Sequence, residues 1–308
     1  MLDLSVIIVS WNTRQLLQEC LESLYRHTKG ITFEVFVVDN NSSDGSPEMV
    51  STLFPRVNVI ANDYNAGFSK ANNQAIRVSK GRYVALLNPD TLLTEDVFSP
   101  LILYADRHDK IGAIGPKIFC GDGKTIQYSC AKKLPNLYSA FCSASGLRSR
   151  SKIFDGVHMS YWDHESSRYV EAICGACMVV RKIAIDAVGL MDENQFMYGD
   201  EIDWCKRFAD SGWRIYYYAD ASIIHYGGES SKQVMQQVNF QFLRARRYYF
   251  RKHHGELYAF AYSVQIGLFS LIKYIWTLLF RGKNTRNREI MENHMSLVKW
   301  VLKNTMGR

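Results

Sequence analysis

The chain has 308 residues, of which 47% are hydrophobic and 22% are charged. This length and composition allow one large domain or two modest ones, and they exclude a disordered chain, a disulfide mini-protein and a polytopic transporter. The net charge of +7 is uneven, because residues 240–308 carry a net +10 and the other 239 residues a net −3. The basic C-terminal segment therefore indicates a membrane surface or a nucleic acid as its partner.

The amino-terminal sequence and the cysteines indicate the cellular compartment of the protein. No basic stretch precedes the first apolar run, so no signal peptide is predicted. Seven cysteines without a repeating spacing indicate reduced thiols in a cytosolic protein.

Strands and helices are predicted to alternate over the first 120 residues. Apolar, β-branched runs predict strands at 5–9, 33–38, 57–60 and 83–87. Helical spacing of apolar residues predicts helices at 13–27, 47–53 and 69–79. This order predicts a parallel sheet with helices on both faces, in which ligands bind at the carboxyl ends of the strands. Loops or a small cover are expected over 120–170, renewed alternation over 170–226, and helices beyond 232.

Polar residues collect directly after the predicted strands. They are Ser10, Trp11 and Asn12, then Asp39 and Asn40, then Asn62 to Gly67, then Asn88 to Thr91. Parallel strands end at one edge of a sheet, so these residues are expected to converge on one crevice, although Asn, Asp and Gly are also ordinary loop formers. An ionised Asp39 suits the N–H of a nucleobase or a ribose hydroxyl, and Asp90 suits Mg²⁺ or Mn²⁺ bridging a diphosphate.

Eight short motifs follow one another over about residues 3–255. They are Ser5 to Asn12, Val37 to Gly45, Asn65 to Phe68 with Asn72, Leu87 to Thr91, Gly175 and Ala176 with Arg181, Gly189 to Glu193, Phe196 to Tyr198 with Asp200 to Asp203, and His225 with Gly228 and Ser230. In this order they resemble the family 2 glycosyltransferases of the GT-A fold, and within them the bacterial rhamnosyltransferases that act on polyprenyl-linked acceptors.

The resemblance implies a fold and a donor site. The fold is a Rossmann-like, mostly parallel sheet with helices on both faces over residues 1–235, and residues 236–308 form a basic, apolar, helical segment that associates with a membrane. The implied nucleobase contacts are Ser10 and Asp39, with Trp11 and Asn12 beside them, and the implied sugar-nucleotide contacts are Asn65, Gly67, Asn72 and Asn88. Asp90 is the implied ligand of a divalent metal, Mg²⁺ or Mn²⁺, and His225 the implied contact to the metal or the diphosphate.

The general base is expected between Asp200 and Asp203. Relatives usually have Glu-Asp-x-Asp here, and the second acid is the base. This chain exchanges the first two residues, so Glu201 takes the base position and Asp200 remains a candidate. Asp203 is expected to support them, and the structural alternative is that these acids cap the start of a helix.

The implied reaction is an inverting displacement in which the base takes a proton from the acceptor hydroxyl. dTDP-rhamnose is the favoured donor, a UDP- or GDP-sugar is possible, and the acceptor is a polyprenyl-pyrophosphate-linked saccharide of a cell-surface polysaccharide. A non-catalytic nucleotide-sugar-binding or scaffold subunit is the alternative, supported by the exchange at 200 and 201. A sugar-nucleotide pyrophosphorylase is disfavoured, because the loop after the first strand has neither a glycine-rich nor a basic motif.

The apolar run from Leu257 to Phe280 is long enough to span a bilayer, but both of its flanks are basic, the second through Arg281, Lys283 and later arginines. We expect this segment to lie in the membrane interface, or to enter and leave the membrane on one side, at the cytoplasmic face of the inner or plasma membrane. The alternatives are a helix that spans the membrane and a helix buried in the core or in an oligomer contact. This apolar run argues against nucleic acid as the partner of the basic segment. The aromatic residues of the same segment are also compatible with a homodimer. Arg148, Arg150 and Arg247 are expected to meet the acceptor pyrophosphate.

Overall fold

The computed structural model describes residues 2–227, 235–280 and 284–306. Gly228, Ser230, Arg281 and Lys283 of the predicted motifs lie outside these ranges. The chain packs as two compact units, one of Met1–Leu134 and Trp162–Phe242, the other of Pro135–Tyr161 and Leu243–Arg308. The domain boundary at 235/236 stays a prediction.

The first unit contains the strands and most of the shorter helices. Its strands are β1 Leu4–Ser10, β2 Phe33–Asp39, β3 Val57–Ala61, β4 Tyr83–Leu87, β5 Thr91–Leu93, β6 Ile111–Cys120, β7 Ala131–Lys132, β8 Arg168–Val170, β9 Ala172–Ile173, β10 Cys177–Arg181 and β11 Arg214–His225. Its helices are α1 Arg14–His27, α2 Ser46–Leu53, α3 Phe68–Val78, α4 Phe98–Asp106, α6 Lys182–Val188 and α7 Asp200–Asp210. The second unit contains α5 Leu137–Ser145, α9 Glu256–Phe280 and α10 Thr285–Met306, and the unit boundary falls within α8 Met235–His254. Short 3₁₀ turns lie at Tyr128–Cys130, Leu147–Ser149 and Lys152–Phe154.

Within the described ranges, nine strands form one mixed sheet in the order β3-β2-β1-β4-β10-β6-β11-β5, with β8 also paired to β11. The block β3-β2-β1-β4 is parallel, so the four predicted strands do end at one edge. β10 runs antiparallel to both β4 and β6, and β11 runs parallel to β6. The end of β11 therefore lies at the same edge as the ends of β1 and β4. β7 and β9 form a separate antiparallel pair.

The core lies between the sheet and its helices. Ile7 and Ile8 on β1 are neighbours on opposite faces, and both are fully buried, as are Leu17 and Leu21 on α1. Burial on both faces explains the continuous apolar runs, since each such side chain contributes about 1.5–3 kcal/mol when it leaves water. The seven cysteines are free thiols.

The structure differs from the sequence-based expectation beyond β4. Neither α4 nor β6 was predicted, and residues 120–170 hold the helix α5 and the short strands β7 and β8 within loops. The predicted parallel sheet becomes mixed in this half, because β10 enters between β4 and β6 in the opposite direction. Hydrophobic periodicity reports burial but carries no information on the direction in which a strand pairs.

The second unit is helical. α9 packs against α5 and α10, and a side chain at Gly267 of α9 would place a Cβ 3.1 Å from Val301. Among the described helices, only α9 is long and apolar enough to cross a membrane by length and composition, with a mean hydropathy of 1.5 in its best window. Only 17% of that window is buried.

Candidate active site

Asp39 ends β2 with one carboxylate oxygen in use and the other available. Oδ2 accepts the backbone N–H of Ser42 at 2.8 Å, whereas Oδ1 is buried without a hydrogen-bond partner. An unpartnered buried acceptor is costly unless a ligand supplies a donor to it. Asp39 is therefore prepared to accept an N–H or O–H group.

The loop after β1 is tied to the loop after β2. Asn12 adopts a left-handed conformation with φ of +51°, which asparagine tolerates better than most residues. Its Oδ1 accepts the N–H of Ser43 at 2.8 Å, and its own N–H donates to Ser42 Oγ at 2.9 Å. Ser10 is buried with its hydroxyl 3.1 Å from that of Thr13, and Trp11 is half-buried between Ser10 and Asn12. Ser10, Trp11 and Asn12 thus lie in a loop that is hydrogen-bonded to the loop after β2, beside Asp39.

The asparagines after β3 shape the start of α3. Asn65 Oδ1 accepts the N–H of Gly67 at 3.0 Å, and Asn72 Nδ2 donates to the carbonyl of Phe68 at 2.9 Å. Gly67 has φ of +79°, and a Cβ there would lie 2.6 Å from the carbonyl oxygen of Phe196. Only glycine fits this close approach. The donor contacts predicted for Asn65, Gly67 and Asn72 stay predictions.

Asn88, Asp90 and His225 meet where β4 and β11 end. His225 Nε2 lies 3.2 Å from Asp90 Oδ1 and 3.2 Å from Asn88 Nδ2. Gln127 Oε1 lies 2.9 Å from His225 Nδ1, and Gln127 Nε2 donates to Ser129 Oγ at 2.7 Å, which directs the amide oxygen toward the ring. A neutral ring that carries its proton on Nδ1 presents its Nε2 lone pair to the Asp90 carboxylate.

This arrangement fits a divalent cation. The imidazole nitrogen and the carboxylate oxygen are both electron-rich, and a cation between or beside them would relieve their repulsion. A hard carboxylate ligand suits Mg²⁺ and Mn²⁺, whereas an imidazole ligand is more typical of Zn²⁺ and the later transition metals. Within the described part of the chain, no group of three or more His, Cys, Asp or Glu side chains is placed to hold a metal alone. A cation here therefore needs further oxygen ligands from a bound diphosphate or water.

Asp200 and Glu201 open α7 in different surroundings. Tyr198 and Gly199, both with positive φ, turn the chain into the helix. Glu201 Oε1 lies 2.7 Å from Lys132 Nζ, and the two side chains are 15% and 11% exposed. Neither oxygen of the buried Asp200 has a partner with hydrogen-bond geometry. Burial and then the charge of Glu201 raise the pKa of Asp200 to about 8, although helix N–H and Ser69 hydrogen bonding oppose the rise.

Asp203 forms an ion pair within α7 and is not exposed to solvent. It is fully buried, and its Oδ2 lies 2.9 Å from Nε of Arg207 one turn later. Arg207 also donates to the carbonyls of Val188 and Leu190 at 2.8 Å each. The ion pair therefore links α7 to the loop that follows α6.

The loop 189–199 is also fastened to α3. Asn73 exchanges two hydrogen bonds with the backbone of Met191, at 2.9 and 3.1 Å, and donates to Glu193 at 2.9 Å. Arg77 contacts the same Glu193 carboxylate at 2.8 Å. Through these contacts and the hydrogen bond from Phe68 N–H to Phe196, α7 with the predicted base is connected to the helix that follows the predicted donor loop.

The predicted pyrophosphate arginines lie in the second unit. Arg148 Nε lies 3.0 Å from Asp155, Arg247 pairs with Glu256, and Arg150 is exposed. Their role toward an acceptor stays a prediction. Sequence reasoning missed Gln127 and Lys132, since each acts through a partner 98 or 69 residues away and no local spacing marks it.

The mixed sheet, with polar side chains at the carboxyl ends of its strands, has a GT-A-like fold. The structure of a mannosyltransferase from Pyrobaculum calidifontis, in complex with GDP-Man and Mn²⁺, superposes with a TM-score of 0.61 over 98% of this chain and 86% of that chain at 16% identity. GalNAc-T7 with UDP, GalNAc and Mn²⁺ superposes with a TM-score of 0.59 over 99% of this chain and 57% of that chain at 14% identity. At these identities the likeness establishes the fold alone.

The sequence comparisons find glycosyltransferases. A family model described as Glycosyl transferase family 2 matches residues 5–155. An N-acetylglucosaminyl-diphospho-decaprenol L-rhamnosyltransferase of Mycobacterium tuberculosis is 28% identical over 255 residues, 74% of this chain and 77% of that protein. A low-salt glycan biosynthesis hexosyltransferase of Haloferax volcanii is 27% identical over 212 residues, 67% of this chain and 61% of that protein. The chain is a glycosyltransferase that carries a family 2 domain, as the motifs predicted.

Proposed function

We propose that the chain transfers a sugar, most simply L-rhamnose from dTDP-rhamnose, with inversion to a saccharide linked to a polyprenyl pyrophosphate. The observation that carries the proposal is that Asp90 and His225 meet at the sheet edge where Asp39 presents a buried, unpartnered oxygen. That edge offers a nucleobase acceptor and a cation site at strand ends of one sheet, which is the pattern a nucleoside diphosphate requires.

The proposed donor site follows the strand ends. Asp39 Oδ1 accepts an N–H of the nucleobase, with Ser10, Trp11 and Asn12 around it. Asn65, Gly67, Asn72 and Asn88 line the sugar and phosphate part of the donor. The firm attachment of these loops to one another supports this assignment, because binding then costs little ordering of the protein.

Asp90 and His225 would hold the Mg²⁺ or Mn²⁺ ion, with Asn88 beside them. Bound there, the cation offsets the negative charge that gathers on the departing diphosphate. The Mn²⁺ in the two similar structures supports a divalent ion in this chain. His225 keeps its ring orientation through Gln127 whether or not a donor is bound.

The base removes the proton of the acceptor hydroxyl while that oxygen attacks C1 of the sugar and the C1–O bond to the diphosphate breaks. Glu201 stands at the position that resembles the family's base, and Asp200 is its neighbour on the same helix. The rhamnosyltransferase likeness supports a lipid-pyrophosphate acceptor. The exposed apolar α9 would keep the enzyme at the cytoplasmic surface of the membrane, near that lipid.

Calorimetric titration with dTDP, UDP and GDP, each with and without Mn²⁺, tests the donor site. We expect metal-dependent binding of one nucleotide, most tightly dTDP, and its loss in Asp39→Asn. Asp109→Asn is the matched control, because this exposed carboxylate lies just before the amino-terminal end of β6. Absence of binding by all three nucleotides to folded protein would overturn the proposal.

Transfer itself is measured with dTDP-rhamnose and a short-chain N-acetylglucosaminyl-diphospho-polyprenol, with the product mass read by mass spectrometry. A product heavier by one deoxyhexose residue is expected. Nucleotide binding without transfer to any lipid-linked acceptor would favour a non-catalytic donor-binding subunit.

A further inference from the structure

Lys132 reaches the base helix from a separate part of the first unit. It lies on β7, where it pairs with Ala172 of β9, and its carbonyl accepts the N–H of Glu171 at 3.2 Å. Its Nζ is 2.7 Å from Glu201 Oε1. Because β9 packs against α7, the two-stranded β7–β9 pair sets where this ammonium group stands.

The pair is largely withdrawn from water, since the two side chains are only 11% and 15% exposed. A charge pair in such a place interacts far more strongly than a surface pair, and removal of one member leaves the other charge poorly solvated. A surface lysine contributes little by comparison. This contact is therefore expected to control the charge of Glu201.

The other ionisable groups facing Glu201 do not replace Lys132. Asp200 is an acid adjacent to Glu201 on α7, so an ionised Asp200 would disfavour a negative charge on Glu201. The thiols of Cys174 and Cys205 also face it, and burial raises the pKa of both, that of Cys205 to about 12. Near neutral pH these thiols are uncharged. Lys132 is the cation in contact with the Glu201 carboxylate.

We propose that Lys132 is a positioning residue that keeps the Glu201 carboxylate ionised and oriented as the base of the transfer reaction. This inference rests on the proposed function. Asp200, fully buried and without a cation, has the opposite surroundings and is suited to remain protonated. Two adjacent carboxyl groups with opposed surroundings take different roles, which assigns the base to Glu201.

Each proton and electron pair of the proposed transfer step has a defined destination. The proton of the acceptor O–H passes to Glu201, the acceptor oxygen bonds to C1, and the electrons of the C1–O bond leave with the diphosphate. Lys132 stays an ammonium ion throughout. It makes Glu201 a weaker base, but it keeps that base deprotonated at a pH where a carboxyl group so far withdrawn from water would otherwise tend to bind a proton.

The test compares Lys132→Met with the wild type and with Lys133→Met, the neighbouring exposed lysine. Loss of an adjacent opposite charge shifts a carboxyl pKa by about one to three units, so the acid limb of the kcat/KM profile should move upward by that amount. Lys132→Arg should restore it, and Lys133→Met should leave it in place. A purely structural role would lower kcat/KM at every pH and leave the limb unmoved, which would overturn the proposal.

A second measurement does not depend on turnover. The δ-carboxyl of Glu201 is followed by ¹³C NMR in glutamate-labelled full-length protein and assigned with Glu201→Gln. Its titration midpoint should rise in Lys132→Met and not in Lys133→Met, with dTDP binding as the check of folding. Equal midpoints in wild type and Lys132→Met would overturn the inference. A raised midpoint in a protein that transfers no sugar would instead overturn the proposed function and uphold the control of Glu201 by Lys132.

Discussion

The two halves of the candidate site hold their carboxylates by different means. At the strand ends, backbone N–H groups bind two carboxylates at 2.8 Å: that of Ser42 binds Asp39 within one turn, and that of Arg14 at the start of α1 binds Asp44. Around α7, cationic side chains bind Glu201 and Asp203, at 2.7 Å from Lys132 and 2.9 Å from Arg207. A backbone donor can neither titrate nor change rotamer, whereas a side-chain cation brings a full charge and can be removed by one substitution.

This difference suits two tasks. Binding a nucleotide requires fixed donors and acceptors, which the strand-end turns provide without charge compensation. Proton transfer requires a carboxylate whose protonation state is set by its neighbours, which the charged contacts of α7 provide. We therefore expect substitutions at the strand ends to change donor and metal binding, and substitutions around α7 to change pH dependence.

The largest effect is expected from Asp90→Ala. Loss of a neighbour that orients a metal ligand already costs 10- to 100-fold in many metal sites, so loss of the carboxylate ligand itself should lower kcat/KM by more than about 100-fold. Transfer at saturating Mn²⁺ measures it, and an unchanged circular dichroism spectrum confirms the fold. Wild-type-like turnover would show that Asp90 is not a ligand of the cation, and the role of the strand ends in metal binding would then be wrong.

Asp39→Asn should weaken nucleotide binding by about 10- to 100-fold, because a hydrogen bond to a charged group contributes about 1.5–3 kcal/mol. The asparagine Oδ1 can keep the bond to Ser42, so the loop should survive while an NH₂ group replaces the available oxygen. Calorimetry measures the change, with Asp109→Asn as the control. An unaltered affinity would mean that the nucleobase does not use Asp39.

The same two regions show how far the sequence predicts this molecule. The strands β1 to β4 and their polar ends were predicted because apolar runs and turn residues are local signals. Asp39, Asn88 and Asp90 follow directly, since parallel strands carry them to one edge. The direction of β10, by contrast, depends on which strands it pairs with across the sheet, and no local pattern reports this.

Around α7 the sequence predicted the acids and not their partners. Asp200 and Glu201 are marked by their motif, but Lys132 lies 69 residues away in a stretch that only the β7–β9 pairing brings near. The motif alone could not distinguish the two acids, because they are adjacent and have similar unperturbed pKa values. Their different burial and contacts distinguish them only once the chain is folded.

Gln127→Leu should have a smaller effect of about 10-fold on Mn²⁺ affinity measured in the presence of nucleotide. The leucine removes the acceptor that fixes the proton on Nδ1 of His225, so the ring can rotate or present the wrong tautomer. Electron paramagnetic resonance of free Mn²⁺ measures the affinity. Lys124→Ala, which changes an exposed side chain three residues before Gln127, serves as the control, and equal affinities in all three proteins would exclude the orienting role.

Replacing Asp200 by Asn is expected to change stability rather than activity, and the change appears in the pH dependence of unfolding. In the folded chain burial raises the pKa of Asp200 to about 8, from a usual value of 3.8. Between these values the folded state binds a proton that the unfolded state releases, so this residue makes the free energy of unfolding fall by up to about 1.4 kcal/mol per pH unit as pH rises. Asn carries no such proton, and the variant should gain stability relative to wild type from pH 5 to pH 8. Urea unfolding followed by tryptophan fluorescence measures this, with the exposed Asp186→Asn as control. Parallel pH curves for Asp200→Asn and wild type would mean that Asp200 is ionised when folded, and Asp200 and Glu201 would then no longer be distinguished by their charge.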